Sequence, residues 1–466
     1  MSEELNLSAQ VKAHNSSNSM ALEEVPITEI RLPDRVLKPP TKRGIATAKA
    51  ILGQWGPVVP VLISDDGTLM AGFELHAAAR ELELATIKAV RVSSLTEVDR
   101  RALTIALARL PELSKWDAGV LQTEFKELLS LDLEFDLHDL TGFTIGELDV
   151  ILEDAVAADE PDPTDDIPEP PAPEHVVTRP GDVFMVGKHR ILCGTCLEAE
   201  PYQNLLREDM ARMLFSDPPY NIAIKGNVSR KHEDFAMGVG EQSREEFTAL
   251  LETMIRLSSH HLVDGGLAYL FMDRRHLLEL QMAAEQAGLS LIDLCIWNKL
   301  SGGMGGLYRS QHEPIYIFKH GKAPHINNVE LGKHGRYRTN VWDHRGLSSF
   351  GKGRDTALAD HPTVKPVNLL AEAIKDCTRR GDVVLDPFAG SGSTLLAAER
   401  CGRVGYGIEL EPKYVDVTVR RMETLTGKQA IHEATGLTFA QMRRRRVRQP
   451  VASLEPDAAV GGTDLN

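Results

Sequence analysis

The period of the apolar positions changes along the chain. Val25-Pro-Ile-Thr-Glu-Ile30 alternates apolar and polar residues, and Val58 to Ile63 (VVPVLI) is a short apolar run followed by the turn residues Asp65-Asp66-Gly67. Both patterns predict β-strands. From Phe73 to Leu84 the apolar residues recur at helical spacing, and helical patterning continues to about residue 152. Beyond residue 178, strand-like runs (ARMLFSD, GGLAYLFMD, DVVLDPF, VGYGIEL) alternate with helical stretches. The first block predicts a small α+β domain. The second predicts an α/β domain whose parallel sheet has helices on both faces.

Composition separates the two blocks. Between Gly146 and Arg179 there is no Lys or Arg but about eleven Asp and Glu, with many Pro and Ala. Such a stretch cannot bury a core and predicts an extended linker. The expected order is a disordered tail at 1–23, the α+β domain at 24–110, a helical extension at 111–152, the linker at 153–177, the α/β domain at 178–430, and a basic, disordered tail at 431–466. The net charge of −15 sits largely in the linker, so it speaks to solubility and leaves local basic patches free to bind. Five cysteines in 466 residues make no disulfide framework. There is no apolar run of about 18 residues, and the N-terminus has no apolar core of a secretion signal. A cytoplasmic protein without a membrane segment is expected.

Two motifs at predicted strand ends carry the chemistry. Asp217-Pro218-Pro219-Tyr220 follows the apolar run MLF, and Asp386-Pro387-Phe388-Ala389-Gly390-Ser391-Gly392-Ser393-Thr394 follows VVL. Open α/β sheets bind ligands beyond the carboxyl ends of their strands. Glycines there let the backbone approach a ligand closely, and the following helix start favours negative charge. Glu409 ends the next strand, about twenty residues on, where an acid can hold a ribose diol. This pattern implies a nucleoside-containing cofactor and does not separate NAD from S-adenosylmethionine. In the DPPY turn, two prolines stiffen the backbone and remove donors. The Asp217 carboxylate and the Pro218 carbonyl can then accept both hydrogens of an amino group, which draws its lone pair out of conjugation and frees it to attack a methyl sulfonium. Tyr220 offers a face for a base to stack on.

DPPYN (Asp217 to Asn221), DPFAGSGST (Asp386 to Thr394) and GIELEPKYV (Gly407 to Val415) resemble the amino methyltransferases of DNA. The catalytic motif precedes the cofactor motif by roughly 170 residues, an order that resembles the β class. HRILCGT (His189 to Thr195), IWNK (Ile296 to Lys299), GLYRSQHEPIYIF (Gly306 to Phe318) and HPTVKP (His361 to Pro366) match as well. The resemblance covers about residues 178–425. It implies a Rossmann-like fold, S-adenosyl-L-methionine as donor and a flipped-out base in double-stranded DNA as acceptor. It places Asp217, Pro218, Pro219 and Tyr220 at the target amine. Asp386, Phe388, Gly390 and Gly392 would line the cofactor pocket, Glu409 would bind the ribose, and Thr363 and Lys365 would lie near the methionine carboxylate. DPPY in place of SPP favours adenine N6 over cytosine N4 within this family. A homodimer and a cognate restriction endonuclease are left open as partners, as is a solitary enzyme.

Residues 319–355 hold about eight Lys or Arg with Tyr337, Trp342 and Phe350 among them, a mixture suited to phosphate contact and stacking. The resemblance places target recognition there, at about 319–360. Lys225, Arg230 and Lys231, after the DPPY turn, are expected to close over the flipped base. Arg443 to Arg446 with Arg448 read either as a DNA-binding tail or as a tail with no dedicated role. Cys193 and Cys196 have CxxC spacing but no second pair of ligands nearby, so no metal is expected.

Residues 25–90 resemble the N-terminal domain of ParB-like proteins, through VPITEIRLPD (Val25 to Asp34), PVVPVLISDDGTLMAGF (Pro57 to Phe73) and AAARELEL (Ala77 to Leu84). In that family a Gly followed by Arg contacts phosphate. Here Gly72 is followed by Phe73 and Glu74, which argues against nucleotide hydrolysis and nuclease activity and for a docking module. Two other readings stand beside the adenine enzyme: methylation of cytosine N4 or of RNA, and a non-catalytic DNA-binding adaptor. The intact DPPY, DPFAGSGST and Glu409 weigh against the adaptor.

Overall fold

Two units divide the chain, Met1–Asp154 and Ala155–Asn466. The computed structural model describes residues 21–131, 133–153, 162–221, 241–302, 307–329, 336–346 and 365–447. Among them no helix is long and apolar enough to cross a membrane.

In the first unit, β1 (Ala21–Pro26), β2 (Val61–Ser64), β3 (Leu69–Ala71) and β4 (Thr86–Val92) form a sheet of order β1-β4-β2-β3. Helices Lys42–Trp55 and Phe73–Glu81 pack on it around Val61, Ile63, Leu69 and Ala78. The expected strand from Val58 begins three residues later. Pro60 has no N–H for a ladder, and Val58 and Val59 are exposed. Ile27–Glu29 turn into a 3₁₀ segment in place of continued strand. Three further helices, Ala118–Ser130, Leu137–Thr141 and Ile145–Leu152, bury Phe125, Leu137 and Leu148.

The second unit holds a ten-stranded sheet among the described residues, ordered β11-β9-β10-β8-β7-β12-β13-β6-β5-β14. Its strands are β5 (Val183–Val186), β6 (His189–Cys193), β7 (Ala211–Ser216), β8 (Leu262–Phe271), β9 (Ser290–Asn298), β10 (His312–Lys319), β11 (Val341–Asp343), β12 (Val383–Asp386), β13 (Val404–Glu409) and β14 (Ile431–His432). The expected parallel sheet is a mixed one. Its centre, β8-β7-β12-β13-β6, is parallel, while β10, β9, β5 and β14 join antiparallel at the sides. The centre is parallel because its helical crossovers cover both faces, which lets near-continuous apolar runs such as LAYLF be buried. Helices Arg244–Ser259 and Leu277–Gln286 cover one face, and Val367–Cys377, Ser393–Arg400 and Pro412–Thr426 cover the other. From β7 the chain continues to β8 on one side, and from β12 to β13 on the other. A crevice therefore opens at the carboxyl ends of β7 and β12.

Two expected boundaries shift. The expected free linker is docked from residue 162 onward: Arg400 pairs with the buried Asp162, the Val367 N–H donates to Asp165 Oδ1 at 2.9 Å, and Arg421 Nη2 donates to the Thr164 carbonyl at 2.8 Å. Arg400 and the N–H at the start of helix Val367–Cys377 hold acids that composition alone reads as solvated. The expected tail from 431 is also structured at first. β14 extends the sheet, and helix Phe439–Val447 buries Phe439 and Met442 against it while Arg446 pairs with Asp182.

Candidate active site

The two motifs come together because β7 and β12 are parallel neighbours. Ser216, the last residue of β7, donates its hydroxyl to Asp386 Oδ1 at 2.7 Å. Asp386 Oδ2 accepts from Thr394 Oγ1 at 2.6 Å, and Oδ1 also accepts from the Phe388 N–H at 3.1 Å. Burial pushes the Asp386 carboxyl up to about 6, against these hydrogen bonds. Asp386 thus ties the glycine turn to both strands.

Gly390 and Gly392 have φ of +53° and +84°. A Cβ on Gly392 would lie 2.4 Å from Thr418 Cγ2, whereas one on Gly390 would meet nothing nearer than the Phe388 carbonyl at 4.0 Å. The first glycine therefore leaves open space at the strand ends, and the second is required by packing. Glu409, ending β13, accepts from the Gly390 N–H through Oε2 and from the Glu411 N–H through Oε1, both at 2.8 Å. Burial raises its carboxyl to about 7. A half-buried carboxylate beside an open glycine cradle fits the diol of a nucleoside cofactor.

Asp217 lies beside this cradle, just past β7. Its Oδ2 is paired with Lys365 Nζ and its Oδ1 accepts the Tyr220 hydroxyl. The same hydroxyl lies 2.9 Å from Glu313 Oε1, at the start of β10. Glu313 Oε2 is 3.1 Å from Lys299 Nζ, and Lys365 Nζ is 3.6 Å from Glu313 Oε1. Lys365 also sits 4.9 Å from the centre of the Phe271 ring and 5.6 Å from that of Tyr220. Burial raises the Asp217 carboxyl, against the pull of Lys365. For Glu313, Lys365 and Lys299 outweigh burial and hold the carboxyl below its usual range. Burial alone would lower Lys365, but Asp217 and Glu313 carry it above the ordinary lysine value. Asn221, left-handed at φ +49°, closes the turn by donating to the Gln242 carbonyl at 2.8 Å.

The site residues thus separate. Asp217, Pro218, Pro219 and Tyr220 form one turn, and Asp386, Phe388, Gly390, Gly392 and Glu409 gather next to it. Lys365 is expected beside a methionine carboxylate; in the structure its buried ammonium is engaged by Asp217 and lies 3.6 Å from Glu313 Oε1. Thr363 lies outside the described residues, as do Lys225, Arg230 and Lys231. Glu313 and Lys299 join the site, although their motifs, QHEPIYIF and IWNK, imply no role for either. The available signal was an acid opening an otherwise apolar strand, HEPIYIF.

Part of the basic segment turns inward. Arg336 Nη2 donates to Asp376 Oδ1 at 2.6 Å, and Arg338 Nε to Asp376 Oδ2 at 3.1 Å while its guanidinium lies over Trp342. Tyr337, between them, is exposed. Cys193 and Cys196 are buried and unpaired, with both thiols pushed up by burial, Cys193 to about 12. No cluster suited to a metal occurs among the described residues.

Residues 211–420 match the family model for DNA methylases of the N6/N4 type, and residues 119–180 match the ParB-methyltransferase helix-turn-helix domain. The Type II methyltransferase M2.DpnII of Streptococcus pneumoniae is 29% identical over 230 residues, 47% of this chain and 84% of that protein. M2.MboI of Moraxella bovis is 24% identical over 244 residues, 50% of this chain and 87% of the relative. Among solved structures, that of the M1.HpyAVI–SAM complex aligns with a TM-score of 0.37 and 20% identity, covering 50% of this chain and 98% of that one.

Proposed function

We propose that this chain, a DNA amino-methyltransferase of the β class with a ParB-like N-terminal part and S-adenosylmethionine as methyl donor, acts on N6 of adenine. The donor supplies an electrophilic methyl group. The protein supplies a place for the amine and a field for the charge that develops on it. The observation that carries this reading is the Asp217 carboxylate at the end of β7, next to the glycine cradle ending β12. As the nitrogen bonds to carbon it becomes cationic, and an anionic acceptor strengthens its hold in the transition state, which is what accelerates the step. The choice of adenine rests on the Asp that opens the turn, where cytosine enzymes of this family carry Ser. The base must leave the duplex stack to reach a turn recessed at the strand ends. The ParB-like part docks to DNA or protein, since Phe73 and Glu74 follow Gly72 where phosphate binding needs Arg.

The test is nucleoside mass spectrometry of DNA from cells expressing the protein or its Asp217→Ala variant. N6-methyladenine is expected with the parent and not with the variant. N4-methylcytosine would overturn the choice of base, and no methylated base would overturn the activity.

A further inference from the structure

The Tyr220 hydroxyl carries one hydrogen but lies within hydrogen-bond reach of two carboxylate oxygens, Asp217 Oδ1 and, at 2.9 Å, Glu313 Oε1. It also accepts from Lys365 Nζ at 3.3 Å. A phenol can donate to only one of two carboxylates. With both acids ionised, the other O···O contact sets lone pair against lone pair. The contact becomes a hydrogen bond when one carboxylate holds a proton, so the triad is one proton short of full satisfaction. The charges facing it are Lys365 and Lys299 as cations and, through Ser216, Asp386 as a further acid.

Methyl transfer to an amine releases one proton. We propose that the Asp217–Tyr220–Glu313 triad receives that proton and passes it outward, with Glu313 acting through Tyr220 as the terminal acceptor. This rests on the reading of the site as an amino-methyltransferase. The nitrogen forms its bond to the methyl carbon as the carbon–sulfur bond of the donor breaks and its electron pair stays on sulfur. The four-bonded nitrogen then loses an N–H proton to Asp217, and the electron pair of that bond restores a neutral secondary amine. Asp217 gives the proton to the Tyr220 oxygen as Tyr220 gives its own to Glu313 Oε1. Glu313 releases it to water at the rim, where the side chain of Lys299 is 34% exposed. Lys299 and Lys365 keep Glu313 ionised and ready between turnovers, in line with the lowered position of its carboxyl. Asp217 is the weaker acid of the pair, because burial raises it with Lys365 alone as a cation against it while Glu313 faces both Lys365 and Lys299, and it suits the first, transient hold on the proton.

The test is single-turnover transfer of labelled methyl groups to duplex DNA between pH 5 and 9, with the full chain and with cofactor binding measured separately. Glu313→Gln and Tyr220→Phe should each slow transfer on the order of a hundredfold, the low end for general acid–base groups. Cofactor affinity should hold. The double variant should be no slower than the slower single one, because both cut one path. The parent rate should fall on the acid side as the triad, Asp217 first, fills with protons, and Glu313→Gln should move that fall to lower pH, because it removes a negative charge that raises Asp217. Multiplicative effects, an unchanged acid limb in Glu313→Gln, or near-parent rates in Tyr220→Phe would overturn the relay. If Glu313→Gln loses cofactor binding, Tyr220→Phe alone decides, since its ring and packing are intact. A parent that methylates nothing overturns both readings. A parent that methylates cytosine overturns only the choice of base, because either amine sheds a proton.

Discussion

Arg421 donates to the Thr164 carbonyl at 2.8 Å, across 257 positions of sequence. Its other nitrogen donates to the Ser391 carbonyl at 2.6 Å, inside the glycine turn. One buried guanidinium therefore joins the docked acidic segment to the backbone of the cofactor motif. Burial lowers Arg421 to about 10, against the pull of Asp165 and Asp166.

A fragment beginning at residue 155 should fold and bind cofactor, while one beginning at 178 should be markedly less stable. The shorter fragment leaves Arg400 and Arg421 without Asp162 and Thr164. Stranding a donor of the buried Arg421 guanidinium costs on the order of 1–3 kcal/mol, and loss of the partly exposed Arg400 pair adds less. Thermal unfolding of both fragments checks this, and equal midpoints would show that the segment is only lying on the surface.

The two glycines should respond in opposite ways. Gly392→Ala sets a Cβ against Thr418 and forces a left-handed residue, and should cost on the order of 2–3 kcal/mol in stability. Gly390→Asp puts bulk and charge into open space at a left-handed φ that Asp tolerates better than most residues, and should cost only about 1 kcal/mol in stability while abolishing cofactor binding. Calorimetry on both variants with and without S-adenosylmethionine separates the two effects.

Cofactor affinity should rise with pH through neutrality. With its carboxyl raised to about 7, Glu409 is mostly protonated below that pH in the free protein. A ribose diol donates to the ionised form, so binding must expel the proton. Below pH 7 each unit of acidity should therefore weaken binding by up to about tenfold, and above 8 the affinity should be flat. Titration calorimetry in buffers of different ionisation heat should show close to one proton released at pH 6. Glu409→Gln should bind more weakly and lose the pH dependence.

Arg336→Ala should lower stability without changing the salt dependence of DNA binding. Its guanidinium is held by Asp376 and the Glu372 carbonyl, so it does not serve a phosphate. Loss of about one unit of salt slope in the variant would instead place it on the DNA backbone.

Local chemistry made the two motifs legible in the sequence. A Pro-Pro turn after an apolar run, and Gly-rich residues after another, have conformational meaning within a few residues. Strand–helix alternation likewise reports a covered parallel sheet, and the central strands are where those runs lie. Composition misled where charge was concerned. The acidic stretch reads as solvated, and Asp162 and Asp165 are instead held by Arg400 and the start of helix Val367–Cys377. The four consecutive arginines read as a free tail, yet Arg446 turns in to Asp182.

The sequence by itself determined the turns, the order of the motifs and the class of the fold, because these depend on dihedral preferences and short periodicities. Only the tertiary structure decided which charges meet. Asp217, Tyr220, Lys299, Glu313 and Lys365 are spread over nearly 150 positions. They converge because β7 and β10 flank β8 while the start of helix Val367–Cys377 lies at the same end. Pairing between distant charges depends on where the chain returns in space, and burial sets how strongly they interact.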